Sequence, residues 1–502
     1  MNFPLLTLTL LAPIIGALVI VFIPKDEHKL IKMIAAAATF ASLCISLFAY
    51  FSYNQSVGGM QFVESIPWIS DLGVTYLMGV DGISLPMLLL TNLIGFCAVY
   101  ASWNVDKRPK EFFILLLILI AGVMGTFIAQ DLFIFFLFYE VVVIPIYIMV
   151  IIWGSSKRVT KEYAGMKLTI YLLIGSAFLL VGLVALFVQA KNMTGVPTFN
   201  IEALSQVPFS DQFQIFIFFF MALGFGSLLS MWPFHSWSPD GYAGAPTAVS
   251  MIHAGVLKKI GGYGLIRVGL FILPVGAKFW APYIAVLAVA GVAYAAFIAL
   301  AQKDLKYVVG YSSVSHMGYV LIGFASLNVI GINGAVAGMF AHGVMAALFF
   351  SMIGFVYEKS HTRYIPDLGG LAHQLPRVSV GFMLAGLASL GLPGLVNFIP
   401  EFTTFIGAFR VYPVLTVIAV SGVIITALYV LRALANVLFG PKKKEWDALP
   451  DAKGPEMVPI IVLGTVLIVA GIFPSLLMDM VNNGVAPLMA KVSNLIQVGG
   501  VF

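Results

Sequence analysis

Apolar stretches of roughly 20 residues recur from one end of the chain to the other, separated by short polar connections. Each is about long enough to cross a hydrocarbon core of about 30 Å as a helix. Fourteen such runs begin near residues 4, 31, 84, 111, 132, 163, 212, 248, 277, 304, 330, 377, 408 and 457. The pattern predicts an all-α polytopic membrane protein. Two runs do not stay apolar: the seventh is broken at MWPFHSWSPD and the twelfth at GLPGLVNFIPEF. Broken backbone inside a bilayer is tolerated only where protein or water satisfies the freed groups, and paired breaks mark ion or substrate sites in transporters built from repeats. The breaks lie five helices apart, which predicts two five-helix units, helices 4 to 8 and 9 to 13. The competing reading is that Pro233 and Pro239 merely end a helix at the surface.

Composition agrees with the pattern. Of 502 residues, 61% are hydrophobic and 10% charged, with a mean hydropathy of +1.02, which excludes an ordinary soluble domain. The first run has no basic residue ahead of it and no small-residue cleavage site, so it reads as a retained helix. Most of the 27 basic residues fall in alternate connections, for example Lys107, Arg108 and Lys110, then Lys157, Arg158 and Lys161, then Lys442, Lys443 and Lys444. The preference of Lys and Arg for the cytoplasmic side turns both termini away from it. Lys167, Lys258, Lys259 and Arg432 instead fall within helices or at their ends. Cys44 and Cys97 have no metal or disulfide spacing and read as packing residues. The expected divisions are 1–110 (helices 1 to 3), 111–271 (first repeat), 272–437 (second repeat) and 438–502. The last contains the loop PKKKEWDALPDAKGPE, helix 14 and a weakly amphipathic tail at the far interface.

Few charges lie inside the runs, and those few carry the chemistry. Glu140 sits well within the fifth run and Glu401 follows the second break. A carboxylate near the bilayer centre costs at least about 2.5 kcal/mol on insertion scales, so it is expected to face the bundle with a partner or a water path. Lys258 and Lys259 are adjacent on the eighth run, about 100° apart on a helix, and cannot share a face; one is expected to point into the bundle while the other pairs or snorkels. His316 and His342, on neighbouring helices, complete a relay of titrating groups between Lys259 and Glu401. His235 and His253 are weaker candidates. No CxxC, P-loop or Gly-rich dinucleotide turn is present, so the chain reads as one that moves ions without a cofactor or metal of its own.

These residues carry a resemblance. MGVDGISLPMLLLTNL, APTAVSMIHAGVLKKIGGYGLIR, KDLKYVVGYSSVSHMGYVLIG, MFAHGVMAALFFSMIGFVYEKSHTR and ASLGLPGLVNFIPEF resemble, over essentially the whole length, the antiporter-like membrane-arm subunits of proton-pumping NADH-quinone oxidoreductase, respiratory complex I. That family is related to Mrp-type cation/proton antiporters, and the VDGIS segment and the length favour its M-type subunit over L and N. The resemblance implies fourteen helices in two inverted five-helix repeats. It implies a proton path through Glu140, Lys259, His316, His342 and Glu401, and sister subunits L, N and smaller membrane subunits. It also implies FMN and iron–sulfur clusters on other subunits and a bacterial-type cell membrane. It departs at the first break, where the family's lysine falls on Leu228 and its first proline on Ser230. Lys258, or His253, is then the expected substitute as partner of Glu140.

Three functions follow as expectations: a proton-translocating subunit driven by quinone reduction elsewhere, a subunit of an Mrp-type antiporter or membrane-bound hydrogenase, and a scaffold that no longer pumps.

Overall fold

The computed structural model describes residues 4–156 and 158–498; Lys157 lies outside them. Helices begin within a few residues of the expected starts. Helices α1 (Leu5–Phe22) and α2 (His28–Ser52) pair with each other, and an antiparallel hairpin of β1 (Gln61–Ile69) and β2 (Val74–Val80) fills the long connection that follows. Next come α3 (Ser84–Ala101), α4 (Pro109–Ile128), α5 (Leu132–Trp153), α6 (Lys161–Thr194) and the short α7 (Ile201–Leu204). The seventh run is split into α8 (Asp211–Leu229) and α9 (Trp237–Gly244). The eighth is one irregular helix, in which α10 (Thr247–Ile252) and α11 (Lys258–Gly264) alternate with π-turns at His253–Leu257 and Leu265–Leu270. Then follow α12 (Pro274–Ala301), α13 (Leu305–Ala325) and α14 (Val329–Ser360). The twelfth run is split into α15 (Pro376–Ser389) and α16 (Phe398–Phe409), and α17 (Pro413–Leu438), α18 (Met457–Ile472) and α19 (Ser475–Val498) complete the chain.

Among the described residues, twelve helices are long and apolar enough to cross a membrane. The remaining two expected crossings are the irregular eighth and the split twelfth. The helix starts follow local rules: Asp131 accepts from the backbone N–H of Phe133 at 2.9 Å and Ile134 at 3.2 Å, Thr160, Ser210, Asp304 and Asn328 cap α6, α8, α13 and α14, and prolines open α4, α12, α15 and α17.

Burial sets the layering. The most apolar window of α14 is wholly buried and those of α3 and α13 nearly so, whereas α6, α17 and α18 bury less than half of theirs. The outer helices present exposed apolar side chains such as Phe22, Phe51 and Val414, as expected of surfaces solvated by lipid or covered by other membrane helices. The C-terminal tail packs on the bundle through one face. Leu477, Met480, Val481, Val485, Leu488, Met489 and Val492 are all buried, a stripe at helical spacing by which α19 packs on α14, α12 and α3.

A buried ion pair that the charge pattern did not anticipate joins α3 to the eighth helix. Arg267 lies inside that helix and donates to Asp81. The other oxygen of Asp81 accepts from the N–H groups of Ile83 and Ser84, both at 3.0 Å. Burial works against ionisation of Asp81, but the Arg267 guanidinium and these N–H groups hold its carboxyl below the usual carboxylate range. This accounts for the VDGIS segment: Asp81 caps α3 and anchors Arg267, and at Gly82 an added Cβ would collide with the backbone of α19.

Candidate functional site

Each break exposes its tip, Pro233 and Phe234 at the first and Leu392, Pro393 and Gly394 at the second, while the residues on either side turn inward and are hydrogen-bonded within the protein. At the first, Ser230 ends α8 in the left-handed region (φ 64°), and the Met231 N–H donates to Gly226 O at 2.8 Å. The indole N–H of the fully buried Trp237 donates to Ser227 O at 3.1 Å. The far end of α9 is held by cations: Arg363 donates to Ala243 O at 2.9 Å and Lys306 to Ala245 O at 2.6 Å, matching the negative end of the helix dipole. At the second break, Gly391 (φ 66°) and Gly394 (φ 92°) turn the chain, and the Val396 N–H donates to Leu467 O at 3.0 Å. An added Cβ at Gly391 would stand 2.9 Å from Glu401 Oε2, so the glycine also makes room for that carboxylate.

The structure brings four of the expected residues into one chain of contacts. Lys259 Nζ, fully buried, lies 2.8 Å from His342 Nδ1. The His342 and His316 rings are 5.4 Å apart between centroids. His316 Nε2 is 3.5 Å from Glu401 Oε1. The series crosses α11, α14, α13 and α16 in that order. A cavity of about 10 Å³, lined by His316, Tyr319, His342, Asn397 and Glu401 among others, has room for about one water. His316 Nδ1 also faces Ser312 O at 2.8 Å and its Nε2 faces Ser389 O at 3.2 Å. A neutral ring donates from only one nitrogen, so each neutral tautomer serves one of these acceptors and the protonated ring serves both.

The lysine pair diverges as its helical spacing requires, but neither member snorkels. Both are fully buried. Lys258 turns the other way from Lys259, donating to Ser313 Oγ at 3.2 Å with its Nζ 5.3 Å from the centre of the Tyr242 ring. The π-turn before them widens the helix, and Lys259 Nζ reaches back to Ala254 O. His253, likewise fully buried, stacks on Trp237 at 5.0 Å and meets Tyr242 edge-on at 5.0 Å. His235 packs edge-on against Tyr294.

Glu140 does not meet expectation. It is partly exposed and shares a stripe of α5 with the exposed Leu137, Val141 and Ile144, the i, i+3, i+4, i+7 spacing of one helix face. Its Oε1 has no hydrogen-bond partner among the described residues. No ion pair joins it to Lys258, whose Nζ is taken up by Ser313 and Tyr242. The position where the resemblance puts a lysine holds Leu228, packed inward at 1% exposure, so no cation there draws the carboxylate into the bundle. Sequence reasoning also passed over Asp240, whose Oδ2 accepts from Lys167 at 2.7 Å and whose Oδ1 accepts from the Tyr307 hydroxyl at 2.9 Å.

Residues 129–426, which contain all of these positions from Glu140 to Glu401, match the family model described as NADH:quinone oxidoreductase/Mrp antiporter, TM. The chain belongs to this family. Among its antiporter-like relatives, NAD(P)H-quinone oxidoreductase chain 4 of Synechococcus elongatus is 35% identical over 98% of this chain and 93% of its own. F(420)H(2) dehydrogenase subunit M of Methanosarcina mazei is 37% identical over 96% of this chain and 97% of its own. In the respiratory complex I of Thermus thermophilus with bound NADH, one chain superposes with a TM-score of 0.87 at 26% identity, covering 96% of this chain and 99% of that one. Among the described residues, no group of three or more His, Cys, Asp or Glu could hold a metal ion.

Proposed function

We propose that this chain is a proton-translocating, antiporter-like subunit of a quinone-reducing respiratory complex. Protons move along Lys259, His342, His316 and Glu401, driven by electron transfer in other subunits. The observation that carries this reading is the unbroken run of contacts from Lys259 to Glu401. Every member is a group that can hold or release a proton, and every neighbour is within direct or one-water reach. His316 sits at the carbonyl end of the half-helix α15 and Glu401 in the first turn of the half-helix α16. A cationic ring thus meets the negative end of one helix dipole and a carboxylate the positive end of the next. Glu140 is left off the path within this chain.

On this reading the expected partners are sister membrane subunits of the L and N type and smaller ones, packed on the exposed apolar faces. FMN and iron–sulfur clusters belong to other subunits. The basic connections face the cytoplasm of a bacterial-type cell, both termini face away from it, and the two five-helix units act as half-channels.

The test is proton uptake per electron in membrane vesicles carrying the intact complex. Glu401→Gln keeps shape and removes the proton. A several-fold loss of uptake with electron transfer retained is expected, whereas a scaffold without pumping would tolerate the change.

A further inference from the structure

Asp240 and Glu401 hold the same place in two different elements. Each is the fourth residue of the half-helix that follows a break, directly after a proline: WSPD opens α9 and FIPE opens α16. The two half-helices run to opposite faces. The end of α9 is bound by Lys306, in the first turn of α13, and by Arg363, on the face that also carries Lys303, the end of α14 with Lys359 and the start of α15 with Arg377. The end of α16 instead meets the connection at the other end of α13, where Asn328 donates to Gly407 O at 2.8 Å. Asp240 is therefore the inverted counterpart of Glu401, turned toward the basic face.

Its surroundings suit proton entry. A cavity of about 480 Å³ is lined by Asp240 itself with Arg158, Thr160 and Tyr163. A second, of about 960 Å³, is bordered by residues of three basic-face connections and by Tyr307, whose hydroxyl reaches Asp240. The carboxylate and Lys167 retain side-chain exposures of 17% and 19%. Water thus reaches the pair from the basic face.

Near Asp240, on α9 and the π-turn that follows α10, the fully buried Ser238 Oγ, Tyr242 OH and both ring nitrogens of His253 have no hydrogen-bond partner among the described residues. Tyr242 stands near Ser238 and Ser313 without a well-formed bond to either. Buried polar groups without a protein partner are normally served by ordered water. Beyond them lies Lys258 on Ser313, next in sequence to Lys259 at the head of the relay.

Resting on the function proposed above, we propose that Asp240 is the proton-loading carboxylate of the first half-channel, with Lys167 as its counter-charge and Lys258 as the next acceptor. A proton taken from cavity water onto Asp240 removes the charge that holds Lys167. It then leaves Asp240 through the unpartnered Ser238, Tyr242 and His253 groups and binds the neutral amine of Lys258. Two ammonium groups on adjacent buried residues repel, so arrival at Lys258 favours departure from Lys259 toward His342. This route replaces one through Glu140 and a lysine at 228.

The test uses vesicles with the intact complex, read as protons taken up per electron beside the quinone reduction rate. Asp240→Asn is expected to lower uptake several-fold, comparably to Glu401→Gln, with reduction retained, and Asp240→Glu is expected to keep it. Unchanged uptake in Asp240→Asn, with Glu401→Gln impaired, overturns this proposal and leaves the proposed function standing; unchanged uptake in both overturns both. If Asp240→Asn does not assemble, Tyr307→Phe removes only the hydroxyl on Asp240. Lower uptake then supports the route, and unchanged uptake overturns it.

Discussion

Lys259 Nζ lies 2.8 Å from His342 Nδ1, and at that separation one proton serves both atoms. Either the ammonium donates to a neutral ring or the ring N–H donates to a neutral amine, since two donors facing each other leave both unsatisfied in a buried site. The pair therefore works as one unit in handing a proton from α11 to α14.

Two residues acting as one unit give non-additive effects. Lys259→Met and His342→Leu are each expected to lower proton uptake per electron by about tenfold or more, and the double variant no further. Uptake by vesicles of the three variants, at matched amounts of assembled complex, checks this. A double variant much worse than either single would mean that the two act separately.

The Asp81–Arg267 pair serves stability. Asp81→Asn leaves a buried guanidinium without its counter-charge, an expected loss of about 3–5 kcal/mol, seen as a lower thermal transition of the solubilised complex. Its pH dependence has a definite sign. Arg267 holds the folded carboxyl below its unfolded value, so the stabilisation is fully present above roughly pH 4 and fades only as pH falls through the lower folded value. The gap between native and variant should stay constant from neutral pH to about pH 5 and narrow only in stronger acid.

Restoring the family's lysine tests the first half-channel from the other side. Leu228 is buried, and Leu228→Lys adds a cation at a cost of about 2.5–3.5 kcal/mol on insertion scales unless it finds a partner. Because Asp240 and Lys258 already supply the titrating groups on the proposed route, the variant is expected to gain no proton uptake at matched electron flow. A clear gain would show an impaired half-channel in the native chain.

Much of the candidate site was legible in the residue pattern. Lys259, His316, His342 and Glu401 stand out because a titrating side chain in an apolar run has few purposes other than chemistry or pairing. The breaks at Pro233 and Pro393 are visible because proline cannot continue a helix. Asp240 was overlooked because it stands in a polar stretch, where an acid looks ordinary. The signal that could have found it is the repeated Pro-acid step, Pro239-Asp240 and Pro400-Glu401, after the two breaks.

The sequence by itself determined the membrane class, the succession of helices and the positions of the breaks, because each depends on local hydrophobicity, length and backbone chemistry. Only the tertiary structure decided which charges meet. Glu140 and Lys258, alike in their sequence setting, part company because a side chain's partner depends on helix phase and on the neighbour it faces. The phase of α5 turns Glu140 toward the outer face, while the widened eighth helix turns Lys258 onto Ser313 and Tyr242. Asp81 with Arg267, and Asp240 with Lys167, were invisible for the same reason. They lie far apart along the chain, and only packing brings them together.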